Sequence, residues 1–386
     1  MPTRRYTLLA VALVGLACLL LAAASTAQAL TAQEKVGKSL FFDTSLSEPA
    51  GQACAACHAG NVGWTGPDAS VNRAGAVYPG AVATLFGNRK PPAAAYAGDS
   101  PTLHYVDSTT GWVGGMFWDG RATGATLGDP LAEQAQGPFL NPLEQNNASP
   151  QMVVDKVAAS RYAPLFKAVW GQDIFNDTTI AYEKIARSIA AFERSPQVSS
   201  FSSKYDAYLA GRARFTGQQK RGMALFNGKA KCSGCHVSPL FTDYSYDNLG
   251  IPKNPLNPFY GELAYNPLGA DWVDYGLGGY LESAGYDASV SAPELGKFKV
   301  PTLRNVDKRP AANFVKAYGH NGYFKSLKEI VHFYNTRDVS GAGWRGMPWP
   351  AAEYAATVNT TEIGNLGLTG GQEQAIVAFV KTLTDR

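Results

Sequence analysis

Cysteine, histidine and methionine are scarce: the 386 residues contain five Cys, five Met and five His, and only 17% of the chain is charged. The charges nearly cancel, at a formal +3, so the chain lacks the cationic excess of a nucleic-acid platform. Nor is it polar enough to be disordered, since 45% is hydrophobic and 18 Phe, 19 Tyr and 7 Trp supply large packing units. At roughly 100–200 residues per domain the length suits two to three domains, each able to bury a core. Period-two alternation is rare, which argues against a β architecture. Beyond Ala24 no apolar run reaches membrane-spanning length.

The N-terminus carries the one long apolar run. Arg4 and Arg5 precede Thr7 to Ala24, and Ala27-Gln28-Ala29 fits A-x-A cleavage, so residues 1–29 read as a signal peptide and the mature chain is expected to begin near Leu30. An uncleaved membrane anchor is the alternative reading. Cys18 lies inside the apolar run, where a lipid-modified cysteine would instead open the mature chain. Removing this leader takes away Arg4 and Arg5 and lowers the net charge from +3 to +1. The expected location is the periplasm.

Four cysteines then remain, in two close pairs: Cys54-Ala55-Ala56-Cys57-His58 and Cys232-Ser233-Gly234-Cys235-His236. Exported cysteines ordinarily form disulfides. Here each pair is followed at once by histidine, the attachment pattern of c-type haem. Two thiols on one helical turn add to the haem vinyl groups, and the adjacent imidazole faces the iron. A redox C-x-x-C would need a βαβ context that is absent, and zinc would need groups 178 residues apart to converge. Two covalently bound c-type haems are therefore expected, ligated by His58 and His236.

The rest reads as helix and loop. Helices are expected at Ala32–Phe42, Pro150–Trp170, Thr178–Arg194, Thr216–Asn227, Leu327–Tyr334 and Gly370–Thr384. Gly60–Pro101 reads as long loop, and Ile251–Leu295 has no clear period. Ser195-Pro196 stops a helix and makes Ser195–Ser203 the expected linker. The fold class is all-α: two cytochrome c-like haem domains with long irregular loops, an N-terminal domain over 30–195 and a C-terminal one over 204–386.

Longer motifs carry a resemblance. Phe117-Trp118-Asp119-Gly120-Arg121-Ala122, the run Leu131 to Glu144, Ala190-Ala191-Phe192-Glu193-Arg194, Phe298 to Val306 and His320-Asn321-Gly322 occur in this order. Together they resemble the bacterial di-haem cytochrome c peroxidases and the related MauG-type enzymes, over essentially the whole mature chain. The resemblance implies that the N-terminal haem is the peroxide site and the C-terminal haem receives and stores electrons. It marks Glu144 as the acid/base group, Gln134 as a hydrogen-bond donor beside the peroxide and Pro138 as an apolar wall, spaced four and then six positions apart. Trp118 would relay electrons between the haems or simply pack their junction, and Arg121 would pair with a propionate.

Departures from the family pattern are equally informative. Many peroxidases carry a distal histidine some sixteen residues after the first haem histidine; that place is Ala74, and no histidine lies between His58 and His104. The first iron is therefore expected to be open as made, with His104 a loop histidine that could swing in. For the second iron, the ligand position fourteen residues beyond His320 holds Tyr334, as in the MauG branch, with Met347 as competitor. His332 is expected to be structural, and His320 to hydrogen-bond near the haem interface. The family's calcium segment, R-N-x-P-T, becomes Arg89-Lys90-Pro91-Pro92-Ala93: Lys90 replaces the usual Asn ligand, and Asn88 could substitute only if the loop shifts, so calcium stays open.

Three functions fit. The first is hydrogen peroxide reduction with electrons from a small periplasmic cytochrome or cupredoxin. The second is peroxide-dependent oxidation of a protein or other large substrate, as in the MauG branch. The third, a non-enzymatic di-haem electron carrier, would need neither Glu144 nor an open iron.

Overall fold

The computed structural model describes residues 29–386. The expected signal peptide, apart from Ala29, lies outside the described residues. Among the described residues no helix is long and apolar enough to cross a membrane.

Reciprocal caps start three of the four helices that make the frame. Thr31 Oγ1 accepts the Glu34 amide at 3.2 Å while the Glu34 carboxylate accepts the Thr31 amide at 2.6 Å, opening the Ala32–Phe41 helix. Thr216 with Gln219 and Thr369 with Gln372 do the same for Gly217–Asn227 and Gly370–Val380. The Thr178–Arg194 helix has the bounds expected from its pattern. The stretch expected as one helix over 150–170 is two, Pro150–Ala158 and Ala163–Trp170, broken at Ser160, with Pro164 in the first turn of the second. The terminal helix stops at Val380 and tightens into a 3₁₀ turn, Lys381–Leu383.

Two helix pairs make the frame, and each crosses at a glycine. Ala32–Phe41 packs on Thr178–Arg194 at Gly37, where a Cβ would sit 1.8 Å from the Ser188 carbonyl oxygen. Gly217–Asn227 packs on Gly370–Val380 at Gly222, where a Cβ would sit 1.9 Å from the Ala375 carbonyl oxygen. In both, the missing side chain lets backbones approach closely. Around the first crossing Phe41 meets Phe192 at 5.4 Å and Trp64 at 5.7 Å; around the second, Phe226 meets Phe379 at 5.2 Å. Each pair stands beside one C-x-x-C-H segment, so the same local arrangement occurs twice.

The named strands of the described residues are three short antiparallel pairs: His104–Asp107 with Gly111–Val113, Tyr246–Asp247 with Phe298–Lys299, and Gly343–Trp344 with Met347–Pro348. Everything else between helices is irregular, which makes the chain mostly helical with long loops. The expected linker is anchored at both sides: the Tyr96 amide donates to Ser199 Oγ at 2.9 Å, and the Ser202 amide to Asp385 Oδ1 at 3.0 Å.

Candidate active site

Cys54–Cys57 is a single helical turn, closed by the His58 amide donating to the Cys54 carbonyl at 3.0 Å. His58 Nδ1 lies 3.2 Å from the Trp64 carbonyl; the tautomer that donates there leaves Nε2 with its lone pair. Burial depresses the His58 pKa to about 4 and pushes the Cys54 thiol up to about 12. The second segment repeats this chemistry on a 3₁₀ turn. The His236 amide donates to the Cys232 carbonyl at 2.9 Å, and His236 Nδ1 lies 2.9 Å from the Phe241 carbonyl. Burial pushes Cys232 and Cys235 up to about 12 as well. None of the four thiols is in a disulfide.

Each segment opens on its own cavity. The first, with about 1730 Å³ of empty space open to solvent, is walled by Cys54, Cys57 and His58. Facing them are Gln134 and Pro138, from the Pro130–Leu140 helix, and Glu144 from the turn that follows. Asn141 Nδ2 donates to Glu144 Oε1 at 3.0 Å, fixing the carboxyl, while burial raises its pKa against the opposing pull of Arg121 and Asn141. Of the five histidines, all described, only His58 lines this cavity. Ala74 is exposed at the end of the Ala69–Arg73 helix, and His104 is exposed on its strand with Nδ1 2.8 Å from the Thr102 carbonyl.

The second cavity, with about 1800 Å³ of similarly open space, is lined by Cys232, Cys235, His236 and, across from them, Tyr334 of the Leu327–Thr336 helix. Burial raises the Tyr334 phenol well above its ordinary value. Met347, 71% exposed, lines neither cavity. His332 turns away to Glu373, with Nδ1 2.9 Å from Oε1. His320 lines the second cavity, its ring stacked on Phe298 at 3.5 Å and its Nε2 3.6 Å from Glu353 Oε2, with neither ring nitrogen hydrogen-bonded to another protein group.

Trp118 lines both cavities and is buried; its indole N–H donates to the Lys90 carbonyl at 2.8 Å. Beside it Arg121 lies 3.7 Å over the Phe117 ring and pairs with Asp119 at 2.9 Å, at the edge of the first cavity. Sequence reasoning missed three groups. Arg89, partly buried, lies between Asp119, at 2.5 Å, and Asp274, at 2.7 Å. Glu193 faces the first cavity with Oε2 unpartnered, and burial pushes its pKa up to about 8. Lys299 lines the second cavity, with burial lowering its pKa to about 7.

The donor sets fit two haems: each cavity offers two neutral thiols on one turn and an oriented imidazole. Calcium does not fit its expected segment. The Lys90 ammonium itself occupies oxygen donors there, Thr65 Oγ1 at 3.0 Å and the Pro91 carbonyl at 2.8 Å.

Comparison with known proteins agrees with this geometry. Residues 31–214 match the family model for di-haem cytochrome c peroxidase. The chain is 33% identical to the methylamine utilization protein MauG of Paracoccus denitrificans, over 96% of this chain and 94% of that one. It is 30% identical to a cytochrome-c peroxidase, IdrP1, of Denitromonas iodatirespirans, over 90% of this chain and 80% of that one. Among solved structures it resembles the diheme peroxidase BthA of Burkholderia thailandensis, with a TM-score of 0.77 and 28% identity over 94% of this chain and 88% of that one. The identity over nearly the full length to these proteins, in a chain with two C-x-x-C-H turns on two cavities, places it in the di-haem cytochrome c peroxidase family.

Proposed function

We propose that this protein is an exported, periplasmic di-haem peroxidase that reduces hydrogen peroxide with electrons from a small redox protein. The observation that carries the reading is the convergence of Gln134, Pro138 and Glu144 on the cavity walled by Cys54, Cys57 and His58. Cys54 and Cys57 hold one haem covalently and Cys232 and Cys235 the other, in domains over 30–195 and 204–386. His58 and His236 would ligate the two irons, and Tyr334 would be a further ligand for the C-terminal one. Haems held there would supply the redox chemistry of O–O cleavage, passing on the two electrons that the small redox protein delivers.

The remaining chemistry belongs to the chain. Hydrogen peroxide, two electrons and two protons give two waters. Glu144, as carboxylate, takes the proton from one peroxide oxygen and returns it to the departing one. Its hydrogen bond from Asn141 holds the carboxyl in place for both transfers. Gln134 donates a hydrogen bond beside the peroxide, and Pro138 keeps that side of the cavity apolar. Trp118, which lines both cavities, passes electrons between them. Arg121 balances carboxylate charge at the cavity edge.

A second reading, peroxide-dependent oxidation of a protein or other large substrate, is favoured by one observation: Tyr334 lines the second cavity and Met347 does not. An oxygen ligand holds ferric iron against reduction. Peroxide-dependent turnover of Glu144→Gln tests the reading. A loss of ~10²-fold or more is expected with both haem spectra intact; unchanged turnover would move the acid/base role away from Glu144.

A further inference from the structure

Three lysines line the second cavity with their ammonium groups turned into oxygen cages that contain no carboxylate within ion-pair distance. Lys299 Nζ donates to Ser100 Oγ at 2.9 Å and to the Gly114 and Gly115 carbonyls at 2.6 and 2.8 Å. Lys316 Nζ donates to the Val62, Asn305 and Lys308 carbonyls at 2.7, 3.2 and 3.1 Å. Lys90 Nζ donates to Thr65 Oγ1 and the Pro91 carbonyl. Neutral carbonyl and hydroxyl oxygens are the donors a hard cation such as calcium takes in place of water. Here they bond lysine Nζ groups and offset part of a desolvation that still lowers all three pKa values, that of Lys90 to about 8.

Lys90 differs from the other two by lining both cavities. Its amide donates to the His320 carbonyl at 2.9 Å, and its carbonyl accepts the Trp118 indole at 2.8 Å. Its ammonium partner Thr65 follows Trp64, whose carbonyl lies 3.2 Å from His58 Nδ1. One residue thus ties the imidazole of the first cavity, the tryptophan between the cavities and a wall of the second. A dication in the same oxygens would meet the ammonium in contact, and among the described residues no group of three His, Cys, Asp or Glu could hold a metal ion to offset that repulsion.

We infer that the Lys90 amine, bonded to oxygens of the segment in which the resemblance places a calcium site, stands in for that ion, so that this chain holds Trp118 between its two sites without a metal ion. Lys90 acts here as a positioning residue. The amine is covalent and cannot be lost to a chelator. The inference rests on the two cavities being haem sites, so haem content is measured on every sample.

The test uses the haem-loaded protein, with bound calcium read by elemental analysis and both irons by EPR, neither depending on turnover. Wild type is expected to retain no calcium after dialysis and to give the same spectrum with and without EGTA. Lys90→Asn, which removes the charge and adds an oxygen donor, is expected to bind about one calcium per chain with a dissociation constant of ~10⁻⁴–10⁻³ M. Its spectrum should become sensitive to EGTA. Stoichiometric calcium in wild type whose removal alters the spectrum overturns the inference, and needs no variant. So does a Lys90→Asn protein that keeps both haems and the wild-type spectrum yet gains no calcium. A sample with fewer than two haems fails the di-haem reading instead.

Discussion

The Trp118 indole N–H donates to the Lys90 carbonyl at 2.8 Å, while the Trp118 carbonyl accepts the Lys299 amide at 2.9 Å. The tryptophan is thereby held from one side by a loop of the first half and from the other by a short strand of the second. Trp118→Phe keeps an aromatic side chain, though a smaller one, and removes the donor, leaving a buried carbonyl unpaired at a cost of about 1–3 kcal/mol. Electron exchange between the haems should slow while haem content stays at two per chain, as stopped-flow reduction can measure.

Glu144 sets the acid limb of the pH profile. Burial raises its pKa above the ordinary 4.5, and the ionised form is the base. The kcat/KM for peroxide should therefore fall as pH drops through a midpoint above 4.5. Glu144→Gln should lower the whole profile and remove that limb. A limb that persists in Glu144→Gln would place the base elsewhere.

The cysteine pairs predict covalent haem. Acid-acetone should extract none from the wild type, and Cys232→Ala should lose or loosen the second haem alone. Two firmly bound haems in Cys232→Ala would contradict the assignment.

Gly222 is a packing requirement. In Gly222→Ala the added methyl meets the Ala375 carbonyl at 1.9 Å, and overpacking of this kind costs about 1–3 kcal/mol, more than the ~1 kcal/mol that alanine gains in helix propensity. Thermal unfolding should fall by several degrees. Gly217→Ala, with nothing within 4 Å of its Cβ, should leave it unchanged or raise it.

What could be read from the chain was local. The C-x-x-C-H turns, the Thr216-to-Gln219 cap and the Thr178–Arg194 pattern each depend on residues a few positions apart. Gln134, Pro138 and Glu144 were reached through resemblance, and the fold brings them to the expected cavity. Gly37 and Gly222 gave no signal, because their role is set by helices arriving from more than a hundred positions away. The same holds for Arg89, whose partners Asp119 and Asp274 lie in separate loops, and for Glu193, whose helical pattern says only that one face is buried. The stacking of His320 on Phe298 was likewise invisible, because the two rings come from separate segments.

The most direct test of the central claim is an EPR spectrum of the oxidised protein as isolated, compared with Tyr334→Met. With His58 alone on the first iron, and His236 with Tyr334 on the second, one high-spin and one low-spin signal are expected. Tyr334→Met should change only the low-spin signal and raise that haem's reduction potential. Two low-spin signals in the wild type, or a low-spin signal indifferent to Tyr334→Met, would contradict the account.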